Sequence, residues 1–288
     1  MYSPQFDYYR AKSLEEAGSL LKQHPEAKLL AGGHTLIPLM KLRLAAPSAV
    51  IDIGRIAELK GIEAKGGVVR IGSLTTHAEI AASPVVRDQC AALAEAAGHV
   101  GDPAVRNRGT IGGNVAHADP ASDLPTVLAA LGARFVITSS RGPQTLPVEQ
   151  FFTGLMSTAL GDGDLLTAIE VPALAAGQGS AYVKFEHPAS RYAVLGVAAV
   201  LGVSGGACKS AAIAVGGLVP KPTRAASVER RLSGQALSDA TIASAAGEVA
   251  ADLGGDLIGD LYASAEYRKA VAPVWVKKAL AAAAARVR

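Results

Sequence analysis

Apolar residues recur along this chain with two different periods, and the period changes from segment to segment. Ser13 followed three residues later by Glu16 is a capping-box pattern, and Leu14, Ala17, Leu20 and Leu21 then repeat at helical spacing. The spacing predicts a helix over Leu14 to Gln23, ended by His24-Pro25 because the residue before a proline disfavours helix. Lys28 to Ala31 and Val50 to Ile53 are short apolar runs that read as strands, as does Gly67 to Ser73 between its glycines. Thr75 to Glu79 reads as a helix start, and the Ala- and Leu-rich stretch Pro84 to Ala97 predicts one helix closed by Gly98. Asp102 to Asp123, rich in Gly, Asn, Asp and Pro, reads as loop; Leu124 to Leu131 as an apolar helix; Arg134 to Ser139 as a strand.

Leu165 to Val171 predicts another strand, stopped by Pro172. Ala173 to Ser180 has a linker composition of small, uncharged residues. Beyond it, Ala181 to Glu186, Ala193 to Val203 and Ser210 to Val215 read as strands, and the chain from Ala236 onward as mostly helical, broken near Gly254-Gly255. Strands followed by helices indicate an α+β unit. The chain therefore divides into residues 1–174, with subdivisions of about 1–55 and 56–174, and residues 178–288.

Composition narrows the function classes. Half the residues are hydrophobic and 18% are charged, an ordinary globular balance. A net charge of +3, with no block of like charge, does not point to nucleic acid. The two cysteines, Cys90 and Cys208, cannot supply the four thiolates of an Fe–S cluster. The six histidines are scattered, with no i, i+4 pair and no H-E-x-x-H, so no metal site is expected. No secretory signal is visible in Met1 to Asp7, and no apolar run reaches the ~20 residues of a membrane span. A cytoplasmic protein is the expectation.

Two glycine loops carry the candidate chemistry: Ala31-Gly32-Gly33-His34-Thr35-Leu36 and Thr110-Ile111-Gly112-Gly113-Asn114. Adjacent glycines let backbone approach a diphosphate closely and let successive N–H groups point into one concavity, while Thr35, Thr110 and Asn114 add side-chain donors. Either loop alone is more simply a turn. Neither fits G-x-G-x-x-G or G-x-x-x-x-G-K-[ST], which disfavours a Rossmann site and a P-loop.

Four segments together resemble one family. The runs AGGHTLIPLMKLRLAAPSAVIDI from Ala31, IGSLTTHAEI from Ile71, GDPAVRNRGTIGGNVAHADPASDLP from Gly101 and YVKFEHPASRYAVLGVAA from Tyr182 are similar, in order and spacing, to the FAD-binding medium subunits of molybdenum hydroxylases of the xanthine dehydrogenase and carbon monoxide dehydrogenase type. The resemblance implies a two-lobed FAD-binding domain of the vanillyl-alcohol-oxidase kind, followed by a smaller α+β domain of the CO dehydrogenase flavoprotein type. It implies that Ala31 to Leu36 wrap the FAD diphosphate, that Thr110 to Asn114 close the other side, that Asp123 serves the adenosine part, and that Leu166 and Lys184 lie at the FAD site. Lys184 and Tyr192 would neighbour the flavin ring. Taken alone, Asp123 is as readily an N-cap for the helix from Leu124, Lys184 a solvated strand residue and Tyr192 a core or interface tyrosine. Asp102, Arg106 and Arg108 either brace the second loop or are ordinary polar residues of a surface loop, and Arg108 could instead neutralise phosphate. His34 shapes its loop, and no role is read for His77.

By the same resemblance, a large subunit carries a molybdenum cofactor, a small subunit carries two [2Fe–2S] clusters, and the assembly is a dimer of heterotrimers. The chain would pass electrons from those clusters to an external acceptor and be inactive alone. Two other readings stay open: a stand-alone FAD-dependent oxidase or reductase, and a non-catalytic assembly subunit. Substrate and acceptor are not legible.

Overall fold

The computed structural model describes residues 2–139 and 142–287. Near the N-terminus the helix Leu14–Gln23 lies against a parallel sheet ordered Asp7–Arg10, Ala49–Asp52, Lys28–Leu30. Ser13 Oγ accepts from the Glu16 N–H at 3.1 Å, as the capping pattern requires, but the Glu16 carboxylate accepts from Lys12 N–H (2.7 Å). Ala17, Ile51, Ile53, Ile56 and Leu59 form the small core of this lobe.

The second lobe is an antiparallel sheet ordered Ile62–Lys65, Val68–Gly72, Leu165–Pro172, Arg134–Ser139, Gly142–Pro147. Leu165–Pro172 is central and buried along most of its length, with a bulge between Leu166 and Ala168. Helices Ala91–His99 and Asp123–Ala130 pack together beside it, over Phe135, Phe151 and Phe152.

Three expectations are corrected here. The stretch Pro84 to Ala97 is two helices, Pro84–Gln89 and Ala91–His99, because Cys90 (φ −146°, ψ 52°) leaves helical geometry. Buried at that break, the Cys90 thiol is pushed up to about 12. Gly98 sits inside the second helix, not past its end. The supposed loop Asp102 to Asp123 contains helices Pro103–Arg106 and Ile111–His117, started by the side chains of Asp102 and Thr110, which accept from Val105 N–H and Gly113 N–H.

The C-terminal region is an antiparallel sheet ordered Gln178–Glu186, Ala193–Ser204, Ala207–Gly216, Thr223–Arg224. Helices Ala226–Leu232, Asp239–Gly247 and Ala265–Ala284 cover one face. The other faces Ala91–His99 and Asp123–Ala130, which explains why Ala193 to Ala199 are buried without alternation. The segment read as linker is therefore short: strand geometry resumes at Gln178, and Ala173 and Leu174 donate to Gly67 O and Gln89 O, both at 2.9 Å. Tyr182, Ala198 and Ala214 join the apolar cluster of the second lobe, so one core runs across the boundary.

Arg268 pins the last helix to this sheet. Its guanidinium is 3% exposed and donates to Gly217 O (2.7 Å), Ala263 O (3.1 Å), Val194 O (3.3 Å) and Asp260 Oδ2 (2.5 Å). Arg268→Ala strands these carbonyls without a donor and is expected to cost about 3 kcal/mol of stability. Urea denaturation checks this; an unchanged midpoint contradicts it.

Candidate functional site

The strand Lys28–Leu30 runs directly into the first glycine loop. Gly33 adopts φ +77°, a left-handed conformation that favours glycine. A β-carbon on Gly32 would lie 2.0 Å from the Arg108 carbonyl oxygen, so this loop rests on the chain leading into the second loop. Among the described residues, the backbone N–H groups of Gly32, Gly33, His34, Thr35 and Leu36 have no acceptor in the protein. Five successive free donors make a site for an anionic, acceptor-rich group.

The second loop is built differently. Ile111 N–H donates to Thr75 O (3.0 Å), Gly112 N–H to Ser73 O (2.8 Å), Gly113 N–H to Thr110 Oγ1 (3.2 Å) and Asn114 N–H to Thr110 O (3.0 Å). Its amides are thus engaged, which corrects the expectation of a second amide-lined hollow. A β-carbon on Gly112 would meet Ser73 Cβ at 2.5 Å, so that glycine serves packing of the loop on the Ser73 segment. Asp102 and Arg106 fix the chain ahead of the loop: Asp102 accepts from Val105 N–H (2.9 Å), and the Arg106 guanidinium donates to Val100 O (3.1 Å) and Gly101 O (2.9 Å).

Both loops border one cleft of about 490 Å³. Ala31, Gly32, Gly33, His34, Thr35, Leu36, Thr110, Gly112, Gly113, Asn114, Leu166 and Tyr192 all line it. Tyr192 is 47% exposed, so it is not a core residue, and partial burial, with Asp119 and Asp123 nearby, raises its pKa. Ser73 and His77, which the residue patterns left without a role, line the cleft too. Their placement depends on a bridge between Thr76 and Thr110, a tertiary contact with no local signal.

Three buried side-chain atoms among the described residues lack a hydrogen-bond partner: Ser73 Oγ, His77 Nδ1 and Asn114 Oδ1. All three belong to residues lining this cleft. Buried polar atoms are nearly always paired, so their clustering marks a place where a ligand completes the bonding. Burial, with His34 and Arg106 nearby, lowers the His77 pKa to about 4. The ring is therefore neutral at pH 7, and the unfolded chain takes its proton first as pH falls. Stability is complete above pH ~6.5 and lost down to about pH 4, by about 3 kcal/mol. His77→Gln is expected to remove this part of the acid dependence, measured as urea midpoints at pH 7 and pH 4.5; an identical loss in both proteins contradicts it.

Three sequence-derived candidates stand off the cleft wall. Ile111 is fully buried in the core. Asp123 and Lys184 form an ion pair at 3.0 Å with side chains 6% and 2% exposed, so Lys184 is not a solvated strand residue. Lys184 also donates to His99 O (3.0 Å), and the Tyr182 hydroxyl donates to Asp123 Oδ1 at 2.5 Å. Burial pushes the Asp123 carboxyl up, against the pull of Lys184 and Tyr182. Asp123 is not the N-cap of its helix either; Ser122 holds that position, and its Oγ accepts from Asn114 Nδ2 at 3.0 Å. The buried trio thus sits next in line behind the second loop.

A cleft lined by free amides and by orphaned side-chain atoms is a site for an anionic, acceptor-rich ligand. Residues 4–174 match the FAD binding domain in molybdopterin dehydrogenase, and residues 180–283 match the CO dehydrogenase flavoprotein C-terminal domain. The chain is 42% identical over 289 aligned positions to the carbon monoxide dehydrogenase medium chain of Hydrogenophaga pseudoflava, covering 99% of each. It is 37% identical to the glyceraldehyde dehydrogenase medium chain of Sulfolobus acidocaldarius, covering 97% of this chain and 98% of that one. A solved structure of the H. pseudoflava carbon monoxide dehydrogenase superposes with a TM-score of 0.95, covering 100% of both chains. The chain belongs to the FAD-binding medium subunits of the molybdenum hydroxylase family, and is an oxidoreductase subunit.

Proposed function

We propose that the cleft holds FAD with its diphosphate on the amides of Gly32 to Leu36. The five unpaired donors carry this assignment. The orphaned Asn114 Oδ1 is placed to accept from a sugar or ribityl hydroxyl, and the Leu166 side chain supplies apolar wall. Tyr192, half exposed at the cleft, is the candidate to cover the flavin ring. Asp123 and Lys184 act from behind the wall, fixing the second loop through Ser122 and Asn114. Bound FAD supplies one- and two-electron chemistry, and the chain supplies position and electrostatics.

In this reading the chain works between two partners, a large molybdenum-cofactor subunit and a small subunit with two [2Fe–2S] clusters, as a dimer of heterotrimers in the cytoplasm. Cys90 and Cys208 are both free and buried, which fits a reducing compartment and leaves no cluster ligands here. Residues 1–174 form the flavin-binding unit and 178–288 the second unit. Whole-length relatives named as medium chains of carbon monoxide and glyceraldehyde dehydrogenases favour a shared electron-transfer part over a substrate-selecting one. Among the described residues no helix is long and apolar enough to cross a membrane.

The test is the visible spectrum of the purified chain, followed by FAD titration and co-purification with the two partner chains. Flavin bands and saturable FAD binding are expected, with no turnover of substrate by the chain alone. Absence of FAD affinity contradicts the reading.

A further inference from the structure

The segment Ser73 to His77 connects the strand Val68–Gly72 to the helix His77–Ala82 and is clamped to the second glycine loop. Ser73 O and Thr75 O accept from Gly112 N–H and Ile111 N–H, and His77 N–H donates to Gly109 O at 3.0 Å. Its backbone is therefore fixed, yet two of its side chains are not satisfied. Ser73 and His77 are each 3% exposed, both line the cleft, and Ser73 Oγ and His77 Nδ1 have no partner. A buried histidine ordinarily has one ring nitrogen held by a carbonyl or carboxylate. Here the Cδ2–Nε2 edge packs on Gly109, where a β-carbon would come within 2.9 Å of the ring.

The missing partner has a definite chemistry. A serine hydroxyl and a neutral imidazole can both donate. His34 and Arg106, both basic, act with burial to lower the His77 pKa. Two unpaired side-chain donors beside five free amides suit anionic oxygen. Gly32 and His77 both pack against Gly109, so the two groups are neighbours in the cleft. We propose that Ser73 and His77 form a third arm of the site, donating through their side chains to the diphosphate of the bound dinucleotide alongside the Gly32 to Leu36 amides. This rests on the assignment of FAD to the cleft and adds two contacts to it.

Three proteins and three ligands test it: wild type, Ser73→Ala and His77→Asn, each titrated with FAD, FMN and riboflavin by flavin fluorescence. Each substitution is expected to weaken FAD about 10-fold or more while leaving riboflavin, which has no phosphate, unchanged. Ser73→Ala should also melt no lower than wild type when FAD-free, because it deletes a buried unsatisfied hydroxyl at nearly constant volume. A merely structural serine would lose stability instead. The 15N resonances of the His77 ring, followed in wild type on FAD addition, do not depend on any variant folding and are expected to shift. Wild type that fails to bind FAD overturns the whole reading. Wild type that binds FAD with unshifted ring nitrogens, with variants of unchanged affinity, or with riboflavin weakened as much as FAD overturns the third arm alone.

Discussion

Gly32→Ala is expected to purify without flavin and to bind added FAD more than about 100-fold more weakly than wild type. Its added carbon would lie 2.0 Å from the Arg108 oxygen and 2.8 Å from the Arg108 carbonyl carbon, both backbone atoms that no side-chain rotation can move aside. The loops must separate, which displaces the amides of Gly32 to Leu36 from a common focus and loses several charge-assisted hydrogen bonds at once. Overpacking adds about 1–3 kcal/mol of destabilisation. Gly247→Ala is the control. Its β-carbon would meet nothing within 4 Å, it lies at the end of the helix Asp239–Gly247, and alanine there should be neutral or mildly stabilising. Fluorescence titration of FAD and thermal melting separate the outcomes. A Gly32→Ala protein that keeps its FAD sinks the loop-contact explanation.

The second large effect concerns the joint between the two halves. Asp123 heads a helix of the flavin-binding half, whereas Tyr182 and Lys184 lie on the first strand of the C-terminal sheet. Asp123→Ala leaves the Lys184 ammonium buried without its counter-charge and the Tyr182 hydroxyl without its acceptor. Loss of one member of a buried pair costs about 3–5 kcal/mol, equivalent to a fall of about 10 °C in melting temperature for a chain of this size. Replacing both charges with apolar side chains, as Asp123→Leu with Lys184→Met, should recover most of that loss, because no unpaired charge remains. A double variant no better than the single one contradicts the pairing. FAD affinity should fall in the single variant as well, through the link from Ser122 to Asn114.

These two cases show what is legible in residue patterns and what is not. Leu14–Gln23 and Arg134–Ser139 are read to the residue because caps and half-buried alternation are local. Asp7–Arg10 and Ile62–Lys65 escape, since edge strands that are mostly exposed carry no alternation. Leu36–Lys41 and Ala226–Leu232 escape because neither has a side-chain cap. At the site, both glycine pairs are visible, but the reason for them is not. Gly32 and Gly112 make room for protein backbone and Ser73, and only one of the two loops keeps its amides free. The pairing of Asp123 with Lys184 spans 61 positions and the burial of His77 depends on the second loop, so neither has a local signature. Family resemblance marks the segments that matter; tertiary geometry assigns them their work.

The amides of Gly32 to Leu36 offer the most direct check, because donors without acceptors exchange hydrogen rapidly and become protected once a ligand accepts from them. Hydrogen–deuterium exchange of the full chain, with and without saturating FAD, is expected to show strong slowing in peptides covering Gly32 to Leu36, and little change in the amides of Ile111 to Asn114, which are already bonded. Saturating FAD with unchanged exchange across Gly32 to Leu36 would show that the diphosphate rests elsewhere.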